Sequence, residues 1–247
     1  MDMSMDVMQH QSMGYDRTAT MFSPDGHLLQ VEYAEKTVRL GSASIGIVCS
    51  DGVFLLADKR IEDTLISPKS TSKIYEIDSH VISSVAGIMS DARVLIDKAQ
   101  ILAQQHRVTY DSPINPELII KELSDIKQQF TQYGGARPFG AALMVAGVLN
   151  NKPMLYTSDV TGNYFAYFAN AIGENDEKIK EKLREKYNSN LTIKQGVSLA
   201  LDIFQEIQAE KFDLKRFELC FIENNKEKIQ RIAGEQLKDY HSSARSK

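Results

Sequence analysis

The sequence predicts an α+β protein in which two antiparallel β-sheets pack face to face and a pair of helices covers each outer face. The first observation is the order of elements: strands, two helices, strands, two helices and closing strands follow one another along 247 residues. The second is that no strand–helix–strand alternation runs through the chain, which argues against a parallel, doubly wound sheet. The third is that no linker or block change in composition interrupts residues 42–240, which favours one domain.

The first 41 residues precede the predicted sheets. Residues 1–14 are polar and rich in methionine, which indicates a flexible tail. Ser23-Pro24-Asp25-Gly26 has the composition of a turn. Residues 28–38 carry apolar side chains at helical spacing, and Gly41 is a frequent type of helix stop. We therefore expect a turn and a helix within residues 15–41.

Turn signals divide the next segment into two hairpins. Ser50-Asp51-Gly52 separates predicted strands at residues 42–49 and 53–57, and Asp78-Ser79 separates strands at residues 73–77 and 80–86. Two helices are predicted to follow, at residues 91–107 with Ser90 as the cap and at residues 117–133 with Pro116 in the first turn.

The second half of the chain repeats this order. Strands are expected at residues 139–149, 154–158 and 164–172, helices at 175–187 and 192–211, strands at 217–223 and 228–232, and a short helix at 235–240. Residues 241–247 are expected to fray.

Composition and charge exclude several classes of function. With 33 acids and 29 bases the net charge is −4, which argues against a nucleic-acid-binding protein. The longest apolar stretch, residues 139–149, is too short for a membrane-spanning helix, which needs ~20 residues. Cys49 and Cys220 are the only cysteines, and the chain start lacks a signal-peptide pattern, so we expect a cytoplasmic protein. Neither metal-ligand spacing nor a phosphate-binding loop is found, so no cofactor is expected.

One segment resembles a known family. Tyr15-Asp16-Arg17, Thr20, residues 22–28 and residues 30–34 are similar to the N-terminal signature of proteasome α subunits, with His27 where the family usually has Arg or Lys. The resemblance continues through Asp58-Lys59-Arg60, Ser72-Lys73-Ile74, Ala86-Gly87-Ile88, Asp91-Ala92-Arg93 and residues 131–135. The lack of a long acidic or lysine-rich C-terminal tail favours an archaeal member.

The resemblance implies a fold and an assembly. The fold is a four-layer α-β-β-α sandwich of the N-terminal nucleophile hydrolase type with an extra N-terminal helix. The assembly is the 20S core, in which seven α subunits form an outer ring stacked on β subunits that carry the threonine-type peptidase activity. The chain itself would be non-catalytic. The resemblance is compatible with a ring of identical subunits and with a ring of different ones.

The resemblance also implies a gate. The tail of residues 1–14 would close the pore at the ring axis and exclude folded proteins. The residues that match the family's gating region are Tyr15, Asp16, Arg17, Pro24 and Tyr33. Their phenol and carboxylate groups would hold neighbouring tails in the open position, and Arg17 would pair with acids of a neighbour. The alternative is a cap and turn formed within one copy of the chain.

A second site is implied around Lys73. In the family this lysine lines a pocket between adjacent α subunits, near the residues that match Gly41, Gly87 and Ile88. The pocket receives the C-terminal carboxylate of an activator such as a hexameric ATPase ring, and an ammonium is a suitable anchor for it. The alternative is a surface lysine at the start of a strand.

Ser42 supports an alternative function. It stands at the place of the nucleophile in β subunits, and Asp58 and Lys73 resemble the residues that assist it. Cleavage after Gly41 would give a self-processing amidohydrolase of the same fold. While residues 1–41 remain attached, the Ser42 nitrogen is an amide and not a base, which favours the non-catalytic interpretation. A stand-alone ring with no β partner is a third possibility.

Overall fold

The computed structural model describes residues 13–60, 65–226 and 228–241. The predicted gate tail lies outside the described residues except for Met13 and Gly14, and so does the predicted frayed end except for His241. The α-helices are α1 (Leu29–Leu40), α2 (Met89–Tyr110), α3 (Pro116–Phe130), α4 (Asp176–Lys186), α5 (Ile193–Gln208) and α6 (Lys238–His241). The strands are β1 (Ser44–Cys49), β2 (Gly52–Asp58), β3 (Ile74–Asp78), β4 (Val81–Gly87), β5 (Ala141–Leu149), β6 (Lys152–Ser158), β7 (Tyr164–Ala166), β8 (Ala169–Ile172), β9 (Phe217–Glu223) and β10 (Ile229–Ala233).

The strands form two five-stranded antiparallel sheets. Their orders are β10-β9-β2-β1-β8 and β3-β4-β5-β6-β7. Strand β2 shows why the central strands are apolar throughout. Val53, Leu55 and Ala57 point into the core between the sheets, whereas Phe54 and Leu56 point into the core beneath the helices. A strand buried on both faces gives a continuous apolar run instead of alternation.

Each outer face is covered by a pair of helices. Helices α4 and α5 pack on the first sheet, and α2 and α3 pack on the second. Both pairs bury one apolar side of each helix, as the helical spacing of their apolar residues requires. The predicted α+β fold with four layers is confirmed.

Helix α1 stands apart from these layers. It contacts β4 and β5 and packs Val31 and Ala34 against Val160, in the loop after β6. Its last residue is followed by Gly41, which leads directly into β1. The helix therefore connects the N-terminal segment to the start of the first sheet.

The prediction of one strand over residues 164–172 is wrong. The chain changes sheets between Tyr167 and Phe168: the amide of Tyr167 donates to the carbonyl of Leu155 in β6, and the carbonyl of Phe168 accepts from the amide of Val48 in β1. Hydrogen bonds to two different sheets divide the segment into β7 and β8. The aromatic and apolar residues on both sides of this crossing hide it in the sequence.

The predicted cap at Ser90 is also wrong. Helix α2 begins at Met89, and its first turn is closed by the bond from the Ala92 amide to the Ile88 carbonyl. Ile88 occupies the cap position and forms no side-chain cap bond.

The predicted helix at residues 192–211 is too long. Helix α5 ends at Gln208, and the chain continues as a 3-10 turn because Ala209 has a φ of 48°.

Candidate functional site

A cavity of about 840 Å³ lies where four parts of the chain meet. These parts are the residues before β1, the end of β2, the segment leading into β3, and the start of α2. The residues that matter below are Gly41, Ser42, Lys59, Arg60, Lys73, Gly87 and Arg93, all of which line the cavity. The structure thus brings together three of the predicted docking residues, Lys73, Gly41 and Gly87.

The two glycines are required by close approach of backbones. A Cβ on Gly41 would lie 2.5 Å from the amide nitrogen of Gly87, closer than real Cβ atoms come. Gly87 has a φ of 111°, and a Cβ there would collide with the carbonyl oxygen of Gly140. Only glycine fits this left-handed, crowded position. At these two residues the wall of the cavity is therefore formed by backbone, with its geometry fixed by three adjacent chain segments.

Ile88, the fourth predicted docking residue, lies beside the cavity and not in its lining. Its amide donates to the Gly140 carbonyl at 2.8 Å, and its side chain covers Gly140. It supports the wall that Gly87 forms.

Lys73 places its ammonium at the buried side of the cavity. Only 5% of the residue is exposed. Its Nζ donates to the carbonyl oxygen of Ser42 at 2.5 Å and to the Ser42 Oγ at 2.8 Å. Burial lowers the pKa of Lys73 to about 8, partly offset by the negative charges of Asp58 and Glu218. An ammonium with two of its three donors in use keeps one donor for a ligand.

Glu218 fixes the backbone around Lys73. This buried carboxylate in β9 accepts from the backbone amides of Lys73 and Ile74, the latter at 2.9 Å. It also accepts from the Ser72 hydroxyl at 3.1 Å and from Arg231 at 3.3 Å. The sequence gives no local signal for this role, because Glu218 is 145 residues away from Lys73.

Asp58 serves as a structural anchor. Only 1% of it is exposed, and its carboxylate accepts from Arg216 at 2.6 and 3.1 Å, from Gln208 at 2.9 Å and from the Arg60 amide at 3.0 Å. It affects Lys73 as a nearby negative charge. The resemblance implies that Asp58 assists a nucleophile. In the structure its described hydrogen bonds are instead formed with Arg216, Gln208 and the backbone amide of Arg60.

Four of the five predicted gating residues lie on α1 or in the turn that contacts it. Tyr15–Arg17 form a 3-10 turn, and the side-chain amide of Gln30 in α1 donates to the Asp16 carbonyl at 2.5 Å. Tyr33 lies half-buried on the same helix, with the ammonium of Lys36 5.2 Å from its ring centre. The structure therefore brings the turn and Tyr33 to the same helix.

Pro24 lies in an exposed β-turn before α1. The turn is closed by the bond from the Gly26 amide to the Ser23 carbonyl at 2.9 Å, and Gly26 has a φ of 83°. Proline at the second position of such a turn fixes its φ. Ser23 is buried and accepts from the His27 amide at 3.1 Å, so the turn is held at its base while Pro24 faces outward.

Two other features of the described residues bear on function. None of their helices combines the length and apolar character needed to cross a bilayer. Within the same ranges, His, Cys, Asp and Glu side chains form no group of three or more that is suited to a metal ion.

Comparison with known proteins assigns the family. Residues 38–222 match the proteasome subunit family, and residues 15–36 match the N-terminal signature that defines its A-type subunits. The second match covers the turn and the first eight residues of α1 described above.

Curated relatives, each named as an alpha subunit of the proteasome, extend along nearly the whole chain. The relative from Methanosarcina acetivorans is 41% identical over 228 residues, which cover 92% of each chain. The relative from Pyrococcus horikoshii is 42% identical over 227 residues, 92% of this chain and 86% of its own length. The relative from Methanothermobacter thermautotrophicus is 40% identical over 230 residues, 93% of each chain. The chain therefore belongs to the family of proteasome alpha subunits, with the N-terminal nucleophile hydrolase sandwich of that family and with archaeal relatives.

Proposed function

We propose that this chain is a non-catalytic component of the outer seven-membered ring of the 20S proteasome core. It gates access for substrates with its N-terminal tail and binds the C-termini of ring-shaped activators. The threonine-type peptidase activity belongs to the β subunits on which the ring stacks. The observation that carries the proposal is the ammonium of Lys73, held by Ser42 in a cavity whose lining includes the backbones of Gly41 and Gly87.

The geometry of Lys73 supports carboxylate binding. A charged hydrogen bond from an ammonium to a carboxylate is about twice as strong as a neutral one. Burial increases this attraction because less water screens it. The bonds to Ser42 hold the ammonium in place before a ligand arrives, so little side-chain freedom is lost on binding.

A connection between cavity and gate supports the second part of the proposal. Gly41 lines the cavity and directly follows α1. Gln30, near the other end of that helix, holds the turn that contains Asp16. A shift of the cavity wall is thus transmitted to the turn through a helix of 12 residues. Activator binding would move the turn that contains Asp16 by this route, and with it the turn at Pro24, which directly precedes the same helix.

The test is Lys73→Ala in the assembled particle. We expect activator-stimulated hydrolysis to be lost and basal hydrolysis of small peptides to be kept. Lys152→Ala is the matched control. Lys152 is exposed, and it pairs with Leu149 at the far end of β5 from Gly140 and the cavity. Stimulation that persists in Lys73→Ala would refute the docking role.

Deletion of residues 2–13 tests the gate separately. Basal hydrolysis of peptides by the assembled particle should rise, because the tail no longer obstructs the pore. Unchanged basal hydrolysis would refute the gating role and leave the docking role intact.

The contact between Lys73 and the Ser42 hydroxyl favours a second candidate, the self-processing amidohydrolase that uses Ser42. That function requires cleavage between Gly41 and Ser42 to expose an amine. The mass of the mature chain decides between the two: a chain that keeps residues 1–41 excludes the hydrolase. A cytoplasmic location stays a prediction.

A further inference from the structure

We infer that the loop of residues 159–163 is an acid-sensitive support for helix α1, and that Lys127 beneath this loop binds the proton that loosens it. The supporting loop follows β6 and lies between α1 and α3. Its loosening is a property of the fold, whereas the consequence for the gate rests on the proposed function.

The supporting loop is packed against both helices. Val160 is only 1% exposed and packs against Val31 and Ala34 of α1. On the other side, Gly162 has a φ of 91°, and a Cβ there would collide with the carbonyl oxygen of Ser124 in α3. Any movement of the loop away from α3 therefore displaces the residue against which α1 packs.

Lys127 joins the base of the loop to α3. Its side chain is fully buried, and Nζ donates to the Asp159 carbonyl at 2.9 Å and to the Ser158 carbonyl and hydroxyl at 3.3 Å. The Asp159 carboxylate itself accepts from the amides of Thr161 and Asn163 at 2.9 and 3.0 Å. The described bonds of Nζ therefore go to neutral oxygens, which compensate a buried ammonium only in part.

The elements packed around Lys127 contribute few charges. Strand β5 and the side of α2 that packs in the same core are apolar. Strand β6 contributes Ser158, and β7 places Tyr164 opposite it. Burial lowers the pKa of Lys127 to about 7, and the charge of Asp159 offsets this only in part. Asp159 also acts on Glu35 of α1, whose pKa is raised by burial and by this carboxylate.

A cavity of about 230 Å³ lies between the supporting loop, α1 and the start of α4. Glu35 and Arg39 line it from α1, and Ser158 and Asp159 line it from the other side. Ser158 touches both this cavity and the Lys127 amine, so the backbone at Ser158 separates the two. The cavity gives the loop space to move, and that movement brings Nζ into contact with water.

Proton binding sets the direction of the effect. With the loop in place the pKa of Lys127 is about 7, whereas an amine in contact with water keeps a lysine pKa of about 10.4. The loosened state therefore binds more protons between these values, and the loop becomes easier to open as the pH falls from about 10 to about 7. The opening constant should rise about tenfold to fiftyfold between pH 9 and pH 7.

Hydrogen exchange in the assembled particle tests this support. Exchange is followed by mass spectrometry at pH 7 and pH 9, and each rate is divided by the rate of an unstructured peptide at the same pH. We expect the corrected rate for residues 159–163 to be about tenfold to fiftyfold higher at pH 7. Residues 31–38 of α1 should show a smaller change in the same direction, and residues 193–208 of α5 serve as the reference.

Three variants assign the proton. Lys127→Met should remove the pH dependence, because it leaves no amine to titrate. Lys121→Met is the matched control, since Lys121 is an exposed lysine on the same helix, and it should keep the dependence. Glu35→Gln removes the other titratable group on which Asp159 acts, and it should keep the dependence as well.

The outcomes are distinct. Equal corrected rates at pH 7 and pH 9 in the wild type overturn the inference, and this comparison needs no variant to fold. A dependence that persists in Lys127→Met, or is lost in Glu35→Gln, assigns the proton to another group and overturns it too.

The gate has its own measurement. The ratio of basal peptide hydrolysis by wild type to that by Lys127→Met should be higher at pH 7 than at pH 9, because the pH dependence of the peptidase sites cancels in the ratio. If exchange changes as expected and this ratio stays constant, the support of α1 stands and its link to the gate is wrong. Deletion of residues 2–13 tests the gate without altering Lys127, so the two proposals fail separately.

Discussion

The ammonium of Lys73 lies 2.8 Å from the hydroxyl oxygen of Ser42 and also donates to the carbonyl of that residue. In the alternative hydrolase that the sequence suggests, Ser42 would be a nucleophile with a free amine. Here the same lysine holds a residue that is inside the chain and faces a cavity. The contact therefore positions the ammonium at the cavity that we propose as the docking site.

Docking at Lys73 should weaken as the pH rises through about 8. Burial lowers the pKa of Lys73 to about 8, and only the protonated form attracts a carboxylate. The charged fraction of the free site falls about tenfold between pH 7 and pH 9 for that pKa, so affinity for a C-terminal peptide should fall by about the same factor. Peptide affinities measured at pH 7, 8 and 9 provide the check.

Lys73→Arg is the control for this pH dependence. A guanidinium stays charged at pH 9, so any binding that the variant retains should be nearly independent of pH over this range. An equal decline in wild type and Lys73→Arg would show that another group titrates and would contradict the role of Lys73.

Gly87→Ala should destabilise the chain much more than Gly26→Ala. Both glycines have positive φ, but a Cβ on Gly87 meets the Gly140 carbonyl whereas one on Gly26 meets no atom within 4 Å. The left-handed backbone alone costs about 1 kcal/mol, and the collision at Gly87 should bring the total to at least about 2–3 kcal/mol. Chemical denaturation of the two variants measures the difference. Equal losses would mean that the close approach of the segments is unimportant.

The parts of the fold that the sequence predicts correctly are those set by residues close together in the chain. The turn at Ser23–Gly26, the hairpins at Ser50–Gly52 and Asp78–Ser79, and the helical spacing of α1 are each set by neighbouring residues, and the order of these elements predicts the layers. The partners of Lys73 and Asp58 depend instead on which strands become neighbours. Arg216 meets Asp58 across 158 residues because β9 pairs with β2. No spacing rule reveals such a pair.

The carboxylate of Asp58 and the guanidinium of Arg216 should be strongly coupled. Asp58 is fully buried, so Arg216→Met leaves a buried charge without its main partner, and Asp58→Ala leaves the half-buried arginine unpaired. Breaking a buried pair from one side costs about 3–5 kcal/mol. The double variant should lose clearly less free energy of unfolding than the sum of the single variants. A double-mutant cycle by chemical denaturation measures the coupling, and additive losses would contradict it.

Lys127 should make the stability of the chain depend on pH. Its side chain is fully buried in α3, where Nζ donates to the Asp159 carbonyl at 2.9 Å and to Ser158 at 3.3 Å. Burial lowers its pKa to about 7, whereas the unfolded chain keeps a lysine pKa of about 10.4. Between these values the unfolded state binds one more proton than the folded state, so stability rises with pH in that window.

Lys127→Met removes this contribution. Below pH 7 the wild type must bury a charged ammonium, and replacing a buried ionic group by an apolar side chain of similar volume is neutral or stabilising by about 1–4 kcal/mol. The variant's advantage should therefore be largest at pH 6 and should shrink by pH 9.5, as measured by the thermal midpoints of both chains. A difference that stays constant from pH 6 to 9.5 would show that Lys127 has the same charge in the folded and unfolded states, and that the bonds to Ser158 and Asp159 hold it as an ammonium throughout.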